Sequence, residues 1–256
     1  GGDYFIAMEY LAGKDLELLF KKLAQTGQAI PLDHILQITT KICLGLDYAH
    51  NLKDIYGKPL SFIHRDISPR NIFITYDGKV KILDFGISKT VSQTDRTQVG
   101  TIKGKIAYMS PEQATGQAID QRSDVYAVGI LLYEMVTGER MYAGDTYQLL
   151  SRVAAADFVP AEKIASNWPD PIYRILKRAL AKRPENRYQS CREMQAAIDN
   201  FRRAQHLQPT AQDLSAHMHA LFAEEHAKDR HTVRQVLKSS DTVSGINASI
   251  SALVDP

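Results

Sequence analysis

One stretch concentrates side chains able to do chemistry together: Ile63-His64-Arg65-Asp66-Ile67-Ser68-Pro69-Arg70-Asn71, answered further on by Asp84-Phe85-Gly86. Asp66 is a carboxylate that can orient a hydroxyl and accept its proton as a bond forms. Asn71 and Asp84 offer hard oxygen atoms of the kind Mg²⁺ takes, one or two from protein and the rest from phosphate and water. Each residue alone is equally at home capping a turn. In this order, a base followed by two metal-holding oxygens on one compact loop system, they have the layout of a phosphoryl-transfer site.

Such a loop needs elements on both sides to hold it. Ile72-Phe73-Ile74 and Val80-Lys81-Ile82-Leu83 read as strands joined through an Asp77-Gly78 turn. Before the loop, Ile35, Ile38, Ile42, Leu46 and Ala49 recur at helical spacing over about 32–52. A shorter helix is predicted over 14–25, with Leu16, Leu19, Phe20 and Leu23 on one face, after a strand over 4–8 broken at Gly13. After the loop, 87–107 is polar without helical period and reads as a long functional loop. Residues 124–136 are nearly all apolar, so that helix belongs in the middle of a core, stopped by Thr137-Gly138. Further helices are expected from Asp145, with Gln148 completing a capping box, and from Asp170 as a cap before Pro171. Two more are expected from Ser190 with Glu193 and from Thr210 with Asp213. Beyond about Lys238 the Ser-, Thr- and Gly-rich tail is expected to be flexible.

Bulk properties narrow the classes. The 256 residues suit one domain with an appendage, and the net charge of +2 comes from interspersed acids and bases rather than a basic face, which argues against nucleic acid as a partner. The longest apolar run, 126–135, is too short to span a bilayer, and no signal peptide is visible, so a cytoplasmic location is expected. Cys43 and Cys191 fall in predicted helices and read as buried apolar fillers in a reducing compartment.

The markers His64-Arg65-Asp66 with Asn71, Asp84-Phe85-Gly86, Ser110-Pro111-Glu112, Asp124-Val125-Tyr126-Ala127-Val128-Gly129 and Arg187 stand in the order of the protein kinase family. From Tyr4 to about Arg203 the chain resembles the C-terminal lobe of a kinase, in a wording similar to the bacterial serine/threonine branch. The implied fold is mainly α with short β-hairpins, an α+β kinase-like lobe. Residues 1–13 would be the last strand of the N-terminal lobe and the hinge, 14–205 the C-terminal lobe, and 206–256 a helical extension and tail. The resemblance implies ATP and Mg²⁺ as cofactors and protein Ser/Thr hydroxyls as acceptors. Asp66 would be the base, with Asn71 and Asp84 holding the metal. Met8, Glu9 and Leu11 would line the adenine edge, Asp15 would touch the ribose and Phe73 would floor the adenine. Phe85 would pack beside His64. Glu112 and Arg187 would form a buried pair, and Asp124 would accept backbone N–H groups of the catalytic loop. Arg65 would pair with a phosphorylated residue among Ser92, Thr94, Thr97 and Thr101, for which a homodimer would serve autophosphorylation.

The chain departs from the family pattern at three points. Ser68 stands where the family usually has a Lys, and Lys105 where it usually has a Thr. The two read as an exchange, with the Lys105 ammonium reaching the same place from the other side of the cleft and Ser68 standing in for the Thr. Third, the chain begins at Gly1, one strand before the hinge, and reads as a fragment without Gly-rich loop, strand Lys or partner Glu. Alone it is expected to bind Mg-ATP weakly and to transfer phosphate negligibly. The alternative function is a pseudokinase or scaffold, a binding module. A small-molecule phosphotransferase is disfavoured by the Ser-Pro-Glu closure of the long loop. The 210–238 segment reads as a helix on the lobe, or else as a dimer or partner contact.

Overall fold

A computed structural model describes residues 8–84 and 104–241. Most of the strand expected over 4–8, Phe85-Gly86, the candidate phosphorylation sites Ser92 to Thr101 and the tail past 241 lie outside the described residues.

A three-residue strand, β1 (Gly13–Asp15), leads directly into α1 (Leu16–Thr26). Gly13, expected to break a strand, and Lys14, expected to be helical, both belong to β1. A strand this short has no period of its own and exists by pairing with a partner. Here the partner is β2 (Ile72–Thr75), which pairs antiparallel with β1 and with β3 (Val80–Ile82). Asp15 caps α1 by accepting from Leu18 N at 2.8 Å. The long helix α2 (Leu32–His50) buries both its aliphatic stripe and Cys43. A 3₁₀ turn over Pro69–Asn71 delivers the chain into β2.

Past the loop come α3 (Pro111–Ala114), α4 (Gln121–Thr137), α5 (Thr146–Ala155), α6 (Ala161–Ile164), α7 (Asp170–Ala179) and α8 (Cys191–Ala204). As its apolar run requires, α4 is the central post: every residue from Ser123 to Val136 is buried. It starts earlier than expected, capped by Asp120, whose carboxylate accepts from Arg122 N at 2.8 Å. α2, α7 and α8 pack around it. Two expected caps differ. Pro169 rather than Asp170 is the N-cap of α7, with no side-chain bond, because Asp170 is already helical. Asp145 does cap α5, through Tyr147 N at 3.0 Å and Gln148 N at 2.9 Å, while the Gln148 side chain is not bonded back.

The 210–241 segment is a pair of helices, α9 (Ala211–Leu221) and α10 (Ala223–Asp241), opened by a reciprocal Thr210–Asp213 capping box. Leu214, Met218, Leu221 and Phe222 are buried against the rest of the core. The pair also sits on the β2–β3 turn. Ser215 Oγ donates to Tyr76 O at 2.7 Å, Lys14 Nζ lies 2.6 Å from Asp229 Oδ2, and Tyr76 Oη donates to Asp229 Oδ2 at 3.1 Å. Gly78 makes this fit possible: its φ is +77°, and a Cβ there would stand 1.9 Å from the Ala211 carbonyl oxygen. Among the described residues no helix is long and apolar enough to cross a membrane.

Candidate active site

The catalytic-loop stretch is held from below by Asp124, in the first turn of α4. Its Oδ2 accepts His64 N at 2.8 Å and faces His50 Nε2 at 2.7 Å, and its Oδ1 accepts Arg65 N at 2.9 Å. These bonds keep Arg65 at φ +67°, a left-handed conformation that a non-glycine residue holds only when its surroundings impose it. Asp84 is a second such residue, at φ +49°. Buried His64 spans the two parts of the site: its Nδ1 accepts from Asp66 N at 3.3 Å, and its Nε2 lies 3.2 Å from Leu83 O. A ring of intermediate size there ties the base's loop to the residue before Asp84.

Asn71 Nδ2 donates to the Asp66 carbonyl oxygen at 2.7 Å, which leaves the amide oxygen of Asn71 for another ligand. Leu83 N donates to Asn71 O at 2.8 Å, so Asp84, one residue on and exposed, emerges beside Asn71. The two residues thus present hard oxygens from adjoining backbone positions, a donor set that fits Mg²⁺ in chemistry. Asp66, Ser68, Asn71 and Lys105 line one cavity of about 390 Å³. Lys105 Nζ lies 3.8 Å from Asp66 Oδ2.

Residues expected at the nucleotide do not join that cavity. Asp15 and Phe73 are paired across β1–β2, and Phe73 and Lys81 across β2–β3. Glu9 reaches this sheet through Lys81 Nζ at 3.0 Å, and Met8 is exposed. Glu9 and Leu11 border a different cavity, of about 610 Å³, between the 9–12 segment, the 75–81 hairpin and the C-terminal helices.

Two anchors fix the far side. Glu112 and Arg187 form the buried pair anticipated for them, with two 2.7 Å bonds. Glu134, near the end of α4, accepts from Tyr108 Oη at 2.8 Å and from Met141 N at 3.3 Å, and Arg140 Nη1 stands 3.3 Å from it. Burial pushes the Glu134 carboxyl up to about 8, against the lowering effect of the Met141 N–H. Tyr108, Arg140, Tyr142 and Leu149 all line the cavity around Asp66. None of the four was singled out from the sequence. Arg140 in particular is a loop charge beside Glu139 until α4 and α5 set its position.

Comparison with known proteins agrees with this architecture. Residues 2–240 match the protein kinase domain family. Tyrosine-protein kinase MasK of Myxococcus xanthus is 34% identical over 249 residues, 96% of this chain and 38% of its own. A probable serine/threonine-protein kinase of Clostridium acetobutylicum is 36% identical over 203 residues, 79% of this chain and 29% of its own. Serine/threonine-protein kinase PknB of Mycobacterium leprae is 34% identical over 196 residues, 76% of this chain and 30% of its own. The chain thus spans less than two-fifths of the length of these curated relatives. The kinase domain of Mycobacterium tuberculosis PknI superposes with a TM-score of 0.55 at 24% identity, covering 75% of this chain and 63% of that one, a likeness of fold. The family match runs over nearly the whole sequence, and the chain belongs to the protein kinase family.

Proposed function

We propose that this chain is the catalytic-loop lobe of an ATP-dependent serine/threonine protein kinase. Residues 1–13 contribute the hinge, and Met8, Glu9, Leu11, Asp15 and Phe73 form its side of the nucleotide cleft. Bound Mg-ATP supplies the phosphoryl group and the cation that offsets charge on the phosphates. Asp66 orients the acceptor hydroxyl and takes its proton as the new P–O bond forms and the bond from the γ-phosphorus to the ADP leaving oxygen breaks. Asn71 and Asp84 hold the metal through oxygen. The Lys105 ammonium balances charge on the transferring phosphoryl group, the task a Lys at position 68 would otherwise have, and Ser68 supplies the hydroxyl opposite it. The observation that carries this reading is the ammonium of Lys105, 3.8 Å from Asp66 in the cavity that also holds Ser68 and Asn71.

Lys105→Ala in the full-length protein is expected to lower kcat/KM by about 10²–10³-fold, the usual cost of removing one preorganised electrostatic partner. An unchanged kcat/KM rules the exchange out. Asp66→Asn separates transfer from a scaffold role, since a pseudokinase scaffold loses nothing by it. A tyrosine acceptor is the second reading, favoured by the name of the relative that matches 96% of the chain. Phosphoamino-acid analysis of the product distinguishes the two.

A further inference from the structure

The cavity around Asp66 is bordered by five charged side chains, Glu17, Asp66, Arg70, Lys105 and Arg140, and their pairing is uneven. Arg70 is spent on Glu17, with Nε 2.9 Å and Nη2 3.3 Å from its carboxylate, and this pairing holds Glu17 below its usual range. Lys105 faces Asp66. Arg140 has only Glu134 behind it, through Nη1, and its Nε and Nη2 make no hydrogen bond among the described residues. Glu134 is 3% exposed, already accepts from Tyr108 and the Met141 amide, and is pushed by burial toward its neutral form. The Arg140 charge is therefore poorly cancelled. The guanidinium is also steadied, with Cζ 5.8 Å from the centroid of the Tyr108 ring, while its side chain is 44% exposed and borders the cavity. A guanidinium that is positioned but has an open fork binds a carboxylate through two parallel charge-assisted bonds.

We propose that Arg140 selects protein segments carrying an acidic side chain beside the acceptor hydroxyl and disfavours basic ones. This rests on the cavity being the phosphoryl-transfer cleft.

The test uses the full-length protein and three peptides that differ only in the residues flanking the acceptor: Glu, Ala or Lys. The expected order of kcat/KM is Glu, then Ala, then Lys, with about three- to tenfold between the first two, the range spanned by exposed ion pairs and charged hydrogen bonds. Arg140→Gln is expected to flatten the order, Arg140→Glu to invert it, and Glu134→Gln, which leaves the guanidinium in place, to keep it. Should an Arg140 variant fail to fold, the unsubstituted protein still decides. Fluorescence anisotropy should give tighter binding of the Glu peptide, by a margin that shrinks as salt rises. Equal or Lys-favouring values in both measurements overturn the selection and leave the kinase reading standing. Phosphorylation of none of the peptides, with equal binding of all three, overturns both.

Discussion

Arg187→Ala is the most informative single perturbation, because every donor of this side chain is committed. Arg187 is fully buried. Nη1 and Nη2 each donate to Glu112 at 2.7 Å, Nη1 also to Arg122 O at 3.0 Å, Nη2 to Lys182 O at 2.9 Å, and Nε to Ala181 O at 2.8 Å. The guanidinium also lies 4.7 Å above the Tyr126 ring centroid. Removing it strands the Glu112 carboxylate, whose remaining side-chain partner is Ser123 Oγ at 2.6 Å, in a buried site. Stranding one member of a buried pair typically costs about 3–5 kcal/mol. For a domain of this size that is a fall in Tm on the order of 10 °C. Arg187→Lys should recover little of it, since one ammonium with three donors cannot serve four acceptor groups in a fork geometry. The assay is thermal and urea unfolding followed by circular dichroism, with α3 protection by hydrogen exchange as the local readout. A variant whose Tm stays within about 2 °C of the parent, equivalent to roughly 1 kcal/mol or less, refutes the idea that this pair ties the end of the long loop to the helical body. Acid should act in the same way. Burial raises the Glu112 pKa, but the bonds from Arg187 and Ser123 outweigh it and leave the pKa below 4.5. The contribution of the pair is thus complete above pH 4.5 and is lost as pH falls through the lower folded value.

Three further outcomes are expected. Gly78→Ala combines left-handed strain of about 1–2 kcal/mol with a Cβ placed 1.9 Å from Ala211 O, so α9 and α10 should lift from the β2–β3 turn; unchanged hydrogen-exchange protection over 211–241 would refute this. Burial first and His34 second lower the pKa of His217, against a smaller raising effect of Asp33, and the two rings lie 5.0 Å apart. Because the neutral form is favoured in the folded state, stability should decline as pH drops below 6.5, and His217→Phe should flatten that slope; equal slopes would dismiss the pair as a contributor. Asp124→Ala removes the acceptor of two catalytic-loop N–H groups and should cost at least about 3 kcal/mol, read by urea unfolding, with a loss below 1 kcal/mol counting against its role.

What could be read in the sequence was whatever is local or ordered. The 63–71 stretch and Asp84 are short motifs joined by a hairpin whose Asp77-Gly78 turn is itself a signal, so their proximity followed from spacing. Lys105 was noticed because it and Ser68 break a pattern together, and the fold brings both to one cavity. Residues two positions apart on a helix point different ways, as His217 and His219 on α9 do. His217 meets His34, while His219 stacks near Tyr76 and His226. β1 was not readable, since its three residues are a strand only because β2 lies beside them. The role of Asp170 was misjudged because an Asp before Pro suits the N-cap and the first helical turn alike, and the helix starts one residue earlier, with Pro169 as its N-cap. Arg140 carried no sequence signal at all. Its place depends on where α4 ends and α5 begins.

α4 acts as a gauge. Near one end Asp124 sets the height of the catalytic loop, and near the other Glu134 sets the position of Tyr108 and the Met141 amide. At about 1.5 Å per residue the separation of those two carboxylates along the axis is roughly 15 Å, fixed by counting residues. One residue added between them would turn the far end by about 100° and carry Glu134 away from Tyr108. The span of the cleft is in this sense an integer. Length can be varied in an exposed join such as 52–61, and nowhere along the buried post between Asp124 and Glu134.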